Sequence, residues 1–177
     1  MLKLQGIFPP VATPFDRDGE IYGAKVEHNI AKWNKTGLAG YVVCGSPGES
    51  VMLTFEEKLR LFGLVAQHAA SGKLLLCGTG VESVRETVEL TNRAAEMGYQ
   101  AAMVRTPHYY KNVINNGPAQ ALYFRAVADA VKIPVMIYNW PQATGVDIPA
   151  ETVAALSEHP NIIAIKESSG NLEKVMQ

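Results

Sequence analysis

Charge of either sign fails to dominate this chain of 177 residues: 16 Lys and Arg stand against 17 Asp and Glu, a formal charge of -1 at pH 7. Such a balance offers no basic field to gather nucleic acid or an acidic lipid surface, so the expected partner is a small molecule. Cysteine is scarce, and the two present, Cys44 and Cys77, close the apolar runs YVVC and LLLC. That placement reads as small buried hydrophobes in a reducing compartment and excludes a disulfide framework. No apolar run has the length of a membrane span, and the opening MLKLQGIFPPVATP has too short an apolar stretch and too early a Pro-Pro pair for a secretory signal. A cytoplasmic protein without a membrane partner is expected. His28, His68, His108 and His159 are scattered without metal-ligand spacing, so no metal is expected either. With no low-complexity tract, charge block or Pro/Ser-rich linker, residues 1–177 read as one continuous domain.

What the sequence does contain is a repeating pattern. Six short apolar runs, GIFPPVAT, GYVVCG, KLLLCG, AAMVRT, PVMIYN and NIIAIK, recur along the chain. Their spacing of roughly 30 residues is that of a strand, a helix and a return. Helix-start signals lie between them. Thr54 with Glu57 and Ser83 with Glu86 match the capping box, and Leu59, Phe62 and Val65 follow the first at helical steps. Pro149 suits the first turn of a helix running to about Glu158. Strands apolar on both faces, alternating with helices, argue for an α/β fold with a parallel sheet. Two closures fit this pattern, a doubly wound sheet and a (β/α) barrel. A complete eight-unit barrel runs to about 250 residues, so a barrel here is expected to be truncated after its sixth strand.

Chemistry in such folds gathers at the carboxyl ends of strands. After the second run comes CGSPGES, a glycine-rich turn whose backbone N–H groups suit a carboxylate or phosphate, although such turns commonly only connect elements. The stretch CGTGVESVRE nearly fits a dinucleotide fingerprint through Gly78, Gly80 and Ser83. It lacks the third glycine, and the next strand ends at Val104 and Arg105 with no acid for a ribose, so a plain turn into a capped helix is the better reading. RTPHYYKN carries Tyr109 and Tyr110, and YNWPQATGVD puts Tyr138 at the end of the fifth run. Lys166 interrupts the Ile/Ala run of NIIAIKESSG. An ammonium at a buried strand end is costly to desolvate, which favours the free amine as a nucleophile toward a carbonyl; a lysine snorkelling to solvent is the bland alternative. Convergence separates the two, because Ser46, Tyr109, Tyr138 and Lys166 all fall at the same ends of their strands.

Read together and in order, GIFPPVATPF, GSPGES, TPHYY, YNWPQATG and IAIKESSGN resemble the dihydrodipicolinate synthase and N-acetylneuraminate lyase family of pyruvate-dependent aldolases. The resemblance implies a TIM (β/α)8 barrel, here its first six βα units. It implies that Lys166 forms a Schiff base with the C2 carbonyl of pyruvate or of a larger 2-oxo acid, with no cofactor beyond that covalent imine. Tyr138 corresponds to the proton-shuttling tyrosine, and Ser46 to the hydroxyl that serves this tyrosine beside the pyruvate carboxylate. Tyr109 corresponds to the tyrosine lent across a subunit interface, which implies a homodimer or homotetramer. Ser46, Pro47, Gly48 and Thr144 are the expected substrate-binding positions.

Two departures from the family pattern bear on the second substrate, an aldehyde. Pro47 stands where relatives carry a residue with an N–H for the pyruvate carboxylate, and proline has none. Ala143 stands where the synthase branch has an arginine for the carboxylate of aspartate semialdehyde. The resemblance therefore leans to an aldolase of 2-keto-3-deoxy sugar acids or of 4-hydroxy-2-oxoglutarate, with 4-hydroxy-tetrahydrodipicolinate synthase of lysine biosynthesis as the alternative. The competing classes are a nucleotide-dependent oxidoreductase, which the incomplete fingerprint speaks against, and a non-catalytic fragment or binding module with little turnover of its own.

Overall fold

Most of the apolar runs become strands, and the periodic stretches between them become helices. A computed structural model describes residues 2–177. Its elements are α1 (Gly23–Trp33), β1 (Gly40–Val43), α2 (Phe55–His68), β2 (Leu74–Gly78), α3 (Val84–Glu96), β3 (Ala101–Arg105), α4 (Lys111–Ile114), α5 (Gly117–Ala130), β4 (Val135–Asn139), α6 (Pro141–Thr144), α7 (Ala150–Ser157), β5 (Ile162–Glu167) and α8 (Leu172–Met176), with a 3-10 turn at Ser46–Gly48. They form two compact units: one comprises the chain up to Gly78 with Arg93–Ala101, the other Thr79–Asn92 with Ala102–Gln177. No helix among the described residues is long and apolar enough to cross a membrane.

In the first unit β1 pairs in parallel with β2, from Gly40 opposite Leu74 to Val43 opposite Cys77. The apolar stripe of α1, Val26 and Ile30, and that of α2, Leu59, Leu61, Phe62 and Val65, are buried as the helical spacing predicts. Asn34, just past α1, ties three elements together. Its Oδ1 accepts from the Tyr41 hydroxyl and the Ala70 N–H, both at 2.9 Å, and its Nδ2 donates to His68 O at 2.8 Å. The Thr54–Glu57 capping box forms in full at the start of α2.

The first apolar run departs from expectation. It forms no strand among the described residues, only an isolated parallel bridge between Pro10 and Val42, with Val11 N–H donating to Val42 O at 2.8 Å and Val42 N–H to Pro9 O at 3.0 Å. Extending that ladder by one rung needs an N–H on residue 9, and proline has none. The six predicted strands are therefore five strands and a bridge.

In the second unit β3, β4 and β5 pair in parallel, Arg105 opposite Tyr138 and Tyr138 opposite Lys166. All of β4 is buried, whereas β5, expected to be a buried strand, is mostly half-buried, with Ile165 exposed. On one side of the strand Ile165 faces an open groove that Val153, Ala154 and Val175 also line. Phe124, Ile137, Ile148 and Leu156 form the unit's core. Pro149 precedes the first helical residue of α7 as its N-cap, one position before the expected first turn.

The cap of α2 yields a direct prediction. Thr54→Ala removes the hydroxyl that accepts the Glu57 N–H, and should lower stability by about 1 kcal/mol in a urea titration, whereas Thr54→Ser should retain most of it.

Candidate active site

The second unit brings Tyr138 and Lys166 together. They are opposite residues on adjacent strands, so their side chains leave the same face, and the Lys166 Nζ lies 4.1 Å from the centroid of the Tyr138 ring. This is cation–π geometry, in which the negative face of the phenol ring attracts a positive nitrogen. Tyr138 is 5% exposed and stacks on Trp140 with ring centroids 6.2 Å apart. Thr144 is buried close by in sequence, and its hydroxyl is held by backbone: 2.9 Å from Val146 O, 3.1 Å from Trp140 O, and accepting the Val146 N–H at 3.2 Å.

One rung further along the same strands lies a polar cluster that motif reading missed. Asn139, fully buried, is opposite Glu167, and its Nδ2 donates to Glu167 Oε2 at 2.9 Å and to Asp147 Oδ1 at 2.8 Å. Ile148 N–H donates to Asn139 Oδ1 at 3.1 Å. The Lys174 ammonium pairs with Asp147 and stands 3.4 Å from Glu167. Burial raises both carboxyl pKa values, yet hydrogen bonds outweigh it and hold both below the usual carboxylate range: those of Lys174 and Asn139 on Asp147, and those of Ser169 and Asn139 on Glu167. The available signal was parity: residues next to 138 and 166 must share the opposite face of the sheet.

Tyr109 sits on an exposed loop, 77% accessible, with its ring edge-on to Tyr110 at 5.0 Å. Glu82 anchors that loop. The N–H groups of His108 and Tyr109 each donate to its Oε2 at 3.0 Å, and Arg105 stands 3.4 Å from its Oε1. Here too burial raises the carboxyl's pKa, but the two backbone donors, aided by His108 and Arg105, hold it below the usual range. The near-fingerprint preceding it has a plain explanation: a Cβ on Gly80 would lie 2.4 Å from the backbone nitrogen of Arg105, so the glycine serves close packing against β3.

Ser46, Pro47 and Gly48 belong to the first unit, where they form the 3-10 turn after β1. The residues flanking it, Cys44 at φ 57 and Glu49 at φ 56, are the non-glycine residues of positive φ among those described. Each such residue costs about 1–2 kcal/mol, strain of the kind stored at ligand-binding turns. The turn is pinned from below by the Thr13 hydroxyl, which donates to Gly48 O at 2.6 Å, and a Cβ on Gly48 would lie 2.6 Å from Val11 O. Gly48 N–H is used inside the turn, on Gly45 O at 3.0 Å, and Pro47 has no N–H. Burial pushes the Cys44 thiol up to about 12 and the Cys77 thiol higher still, so neither is a thiolate nucleophile. Among the described residues no cluster of His, Cys, Asp and Glu is arranged to hold a metal ion.

The model of the dihydrodipicolinate synthetase family matches residues 3–177. The chain belongs to that family. It is 39% identical over 171 residues to a 4-hydroxy-tetrahydrodipicolinate synthase of Methanothrix thermoacetophila, covering 97% of this chain and 56% of the relative. It is 40% identical over 176 residues to a probable mitochondrial 4-hydroxy-2-oxoglutarate aldolase of Emericella nidulans, covering 96% of this chain and 56% of the relative. Among solved structures, a prophage protein of the dihydrodipicolinic acid synthase family from E. coli K12, solved in complex with pyruvate, superposes with a TM-score of 0.89 at 34% identity, over 96% of this chain and 56% of that one. The fold is thus the α/β barrel class of the family, and the chain spans little more than half the length of these relatives. The synthase name recurs among the relatives, so they favour the synthase alternative over the aldolase leaning drawn from Ala143.

The anchoring of the Tyr109 loop by Glu82 is pH-dependent. The folded-state value of Glu82 lies below its ordinary one, so its contribution is complete above about pH 4.3 and is lost as pH falls through the folded value. The amide NMR signals of His108 and Tyr109 should share an acidic step with a midpoint below that of an ordinary glutamate, and Glu82→Gln should abolish that step while the separate step of the His108 imidazole, itself lowered by burial, remains.

Proposed function

We propose that this chain carries the imine-forming half of a class I lyase that activates pyruvate, or a larger 2-oxo acid, on Lys166. The observation that carries the proposal is the rung pairing Lys166 with Tyr138, an amine and a phenol on one face of adjacent strands. The amine adds to the C2 carbonyl, and the carbinolamine loses water to give a protonated imine. Its positive nitrogen occupies the position where the Tyr138 ring face already favours a cation. The imine withdraws electrons from C2, so the methyl carbon loses a proton and becomes an enamine. That carbon attacks the aldehyde carbonyl, a carbon–carbon bond forms, and the new alkoxide takes up a proton. Water then hydrolyses the imine, releasing the product and regenerating the amine; cleavage of a larger 2-oxo acid runs the same steps backwards.

Tyr138 is assigned the proton transfers, since a hydroxyl that both gives and accepts a proton is what the cycle requires. Ser46 is assigned to the pyruvate carboxylate, with Gly48 and Thr144 shaping the substrate-binding loops. Pro47 contributes shape alone. Amine and phenol supply every group in the scheme, so no cofactor enters it. Exposed Tyr109 is assigned to a contact between copies of the chain in a homodimer or homotetramer, and the compartment is assigned as cytoplasmic.

Two readings of the second substrate each have support. The names of the relatives favour condensation of pyruvate with aspartate semialdehyde, as in 4-hydroxy-tetrahydrodipicolinate synthase. Ala143, which has no side-chain donor for that substrate's carboxylate, and the aldolase relative favour cleavage of 4-hydroxy-2-oxoglutarate or of a 2-keto-3-deoxy acid. Pyruvate consumption with aspartate semialdehyde, measured beside pyruvate release from the two hydroxy-oxo acids, separates them.

Incubation with pyruvate and borohydride should add the mass of a reduced pyruvyl group to Lys166 alone. Lys166→Ala should abolish the adduct, and Tyr138→Phe should slow its formation by about 100-fold or more. An adduct on another lysine overturns the Lys166 assignment, and no adduct at all favours the reading of a non-catalytic fragment or binding module.

A further inference from the structure

The pairing of Tyr138 with Lys166 is not the register in which β4 and β5 begin. Val135 is opposite Ile162, but the next paired residues are Met136 and Ala164, so one extra residue of β5 is inserted between the first and second rungs. Had the ladder continued without that bulge, Tyr138 would be opposite Ile165, and Lys166 would be opposite Asn139. A shift of one residue sends a side chain to the other face of a sheet, so Lys166 would then leave the face that carries Tyr138. Hydrophobic burial does little to choose between the two registers, because Ile163, Ala164 and Ile165 are all apolar and none of them is buried. Something beyond the apolar run must select the bulged one.

We propose that Asn139 and Glu167 are positioning residues that lock β5 against β4 in the bulged register and thereby place Lys166 on Tyr138. They form the rung immediately after Tyr138 and Lys166. The Asn139 carboxamide donates to both carboxylate oxygens of Glu167, at 2.9 and 3.1 Å, a bond that the unbulged register would replace with an amide facing Lys166. Two backbone N–H groups beyond the rung support it: that of Ser168 donates to Asn139 O at 2.9 Å, and that of Ser169 to the Glu167 side-chain Oε1 at 2.7 Å. Asp147 and Lys174 hold the carboxamide and the carboxylate from outside. Asn139 is buried, and a slipped register would cost its carboxamide both bonds to Glu167 and leave it only Asp147 and the Ile148 N–H, which penalises the slip. One face of the sheet thus carries the chemistry and the other carries the lock.

The inference rests on the imine assignment for its catalytic consequence, and two readouts keep them separate. The first is the rate of borohydride trapping of pyruvate on Lys166. Asn139→Ala and Glu167→Ala should each slow it by about 100-fold, the loss expected when a reacting group is misplaced by an ångström. The double variant should be no slower than the worse single one, because both act through one rung. Glu167→Gln, whose amide oxygen still accepts from Asn139 and Ser169, should recover to within about tenfold of the native rate. Asn139→Asp keeps the size and removes the donors, so it tests the lock without opening a cavity. The second readout is amide hydrogen exchange on the same proteins. The Ser168 amide should lose protection in the slow variants, while the Ala102 amide, bonded to Pro134 O at 2.9 Å, keeps it. Native trapping rates in Asn139→Ala, or slow trapping with the Ser168 amide still protected, overturn the lock. If the native chain traps no pyruvate, the imine assignment fails, and the exchange pattern alone then decides whether the rung sets the register.

Discussion

The register of β5 against β4 is the constraint on which the site depends. Parallel strands of similar apolar residues are held by evenly spaced backbone bonds that do not distinguish one alignment from the next. Alignment must come from side chains that pair well in one register and badly in its neighbours. Here the polar rung Asn139–Glu167 meets that need, and the rung beside it sets Lys166 over the Tyr138 ring at 4.1 Å. Burial of Asn139 gives the rung its force, because a buried carboxamide with four potential hydrogen bonds penalises any alignment that leaves them unmade.

Elsewhere the same division recurs between a rigid scaffold and a strand-end loop that a single group fixes. Glu82 gathers two backbone N–H groups and the Arg105 guanidinium, and so fixes where the exposed Tyr109 begins. In the first unit the Ser46–Gly48 turn is bounded by two left-handed non-glycine residues and pinned by Thr13. Strain of that size is sustained by the buried β1 and the packed α1 and α2, whose apolar stripes supply the stabilisation. Each loop therefore draws its geometry from its own unit.

Much of this was legible in the sequence wherever the signal is local. The capping box of Thr54 and Glu57, the burial of Cys44 and Cys77, and the position of Tyr138 and Lys166 at strand ends all follow from patterns a few residues long. The first run misled because its apolar character says strand while Pro9 removes the donor the ladder needs. The half-exposure of β5 was also hidden, since NIIAIK is apolar enough for a strand covered on both faces. Least visible were Asn139 and Glu167, which lie 28 residues apart and meet only because one residue is bulged out between them. Glu82 was hidden for the same reason, its partners lying 26 and 27 residues away.

We propose the Tyr138–Lys166 rung as the place where pyruvate becomes an imine. A crystal of the protein soaked with pyruvate tests it most directly. Continuous density should run from the Lys166 Nζ to the C2 carbon of pyruvate, with the Tyr138 hydroxyl within hydrogen-bonding reach of the adduct. Pyruvate seated elsewhere, with an unmodified Lys166 still over the Tyr138 ring, would overturn the assignment.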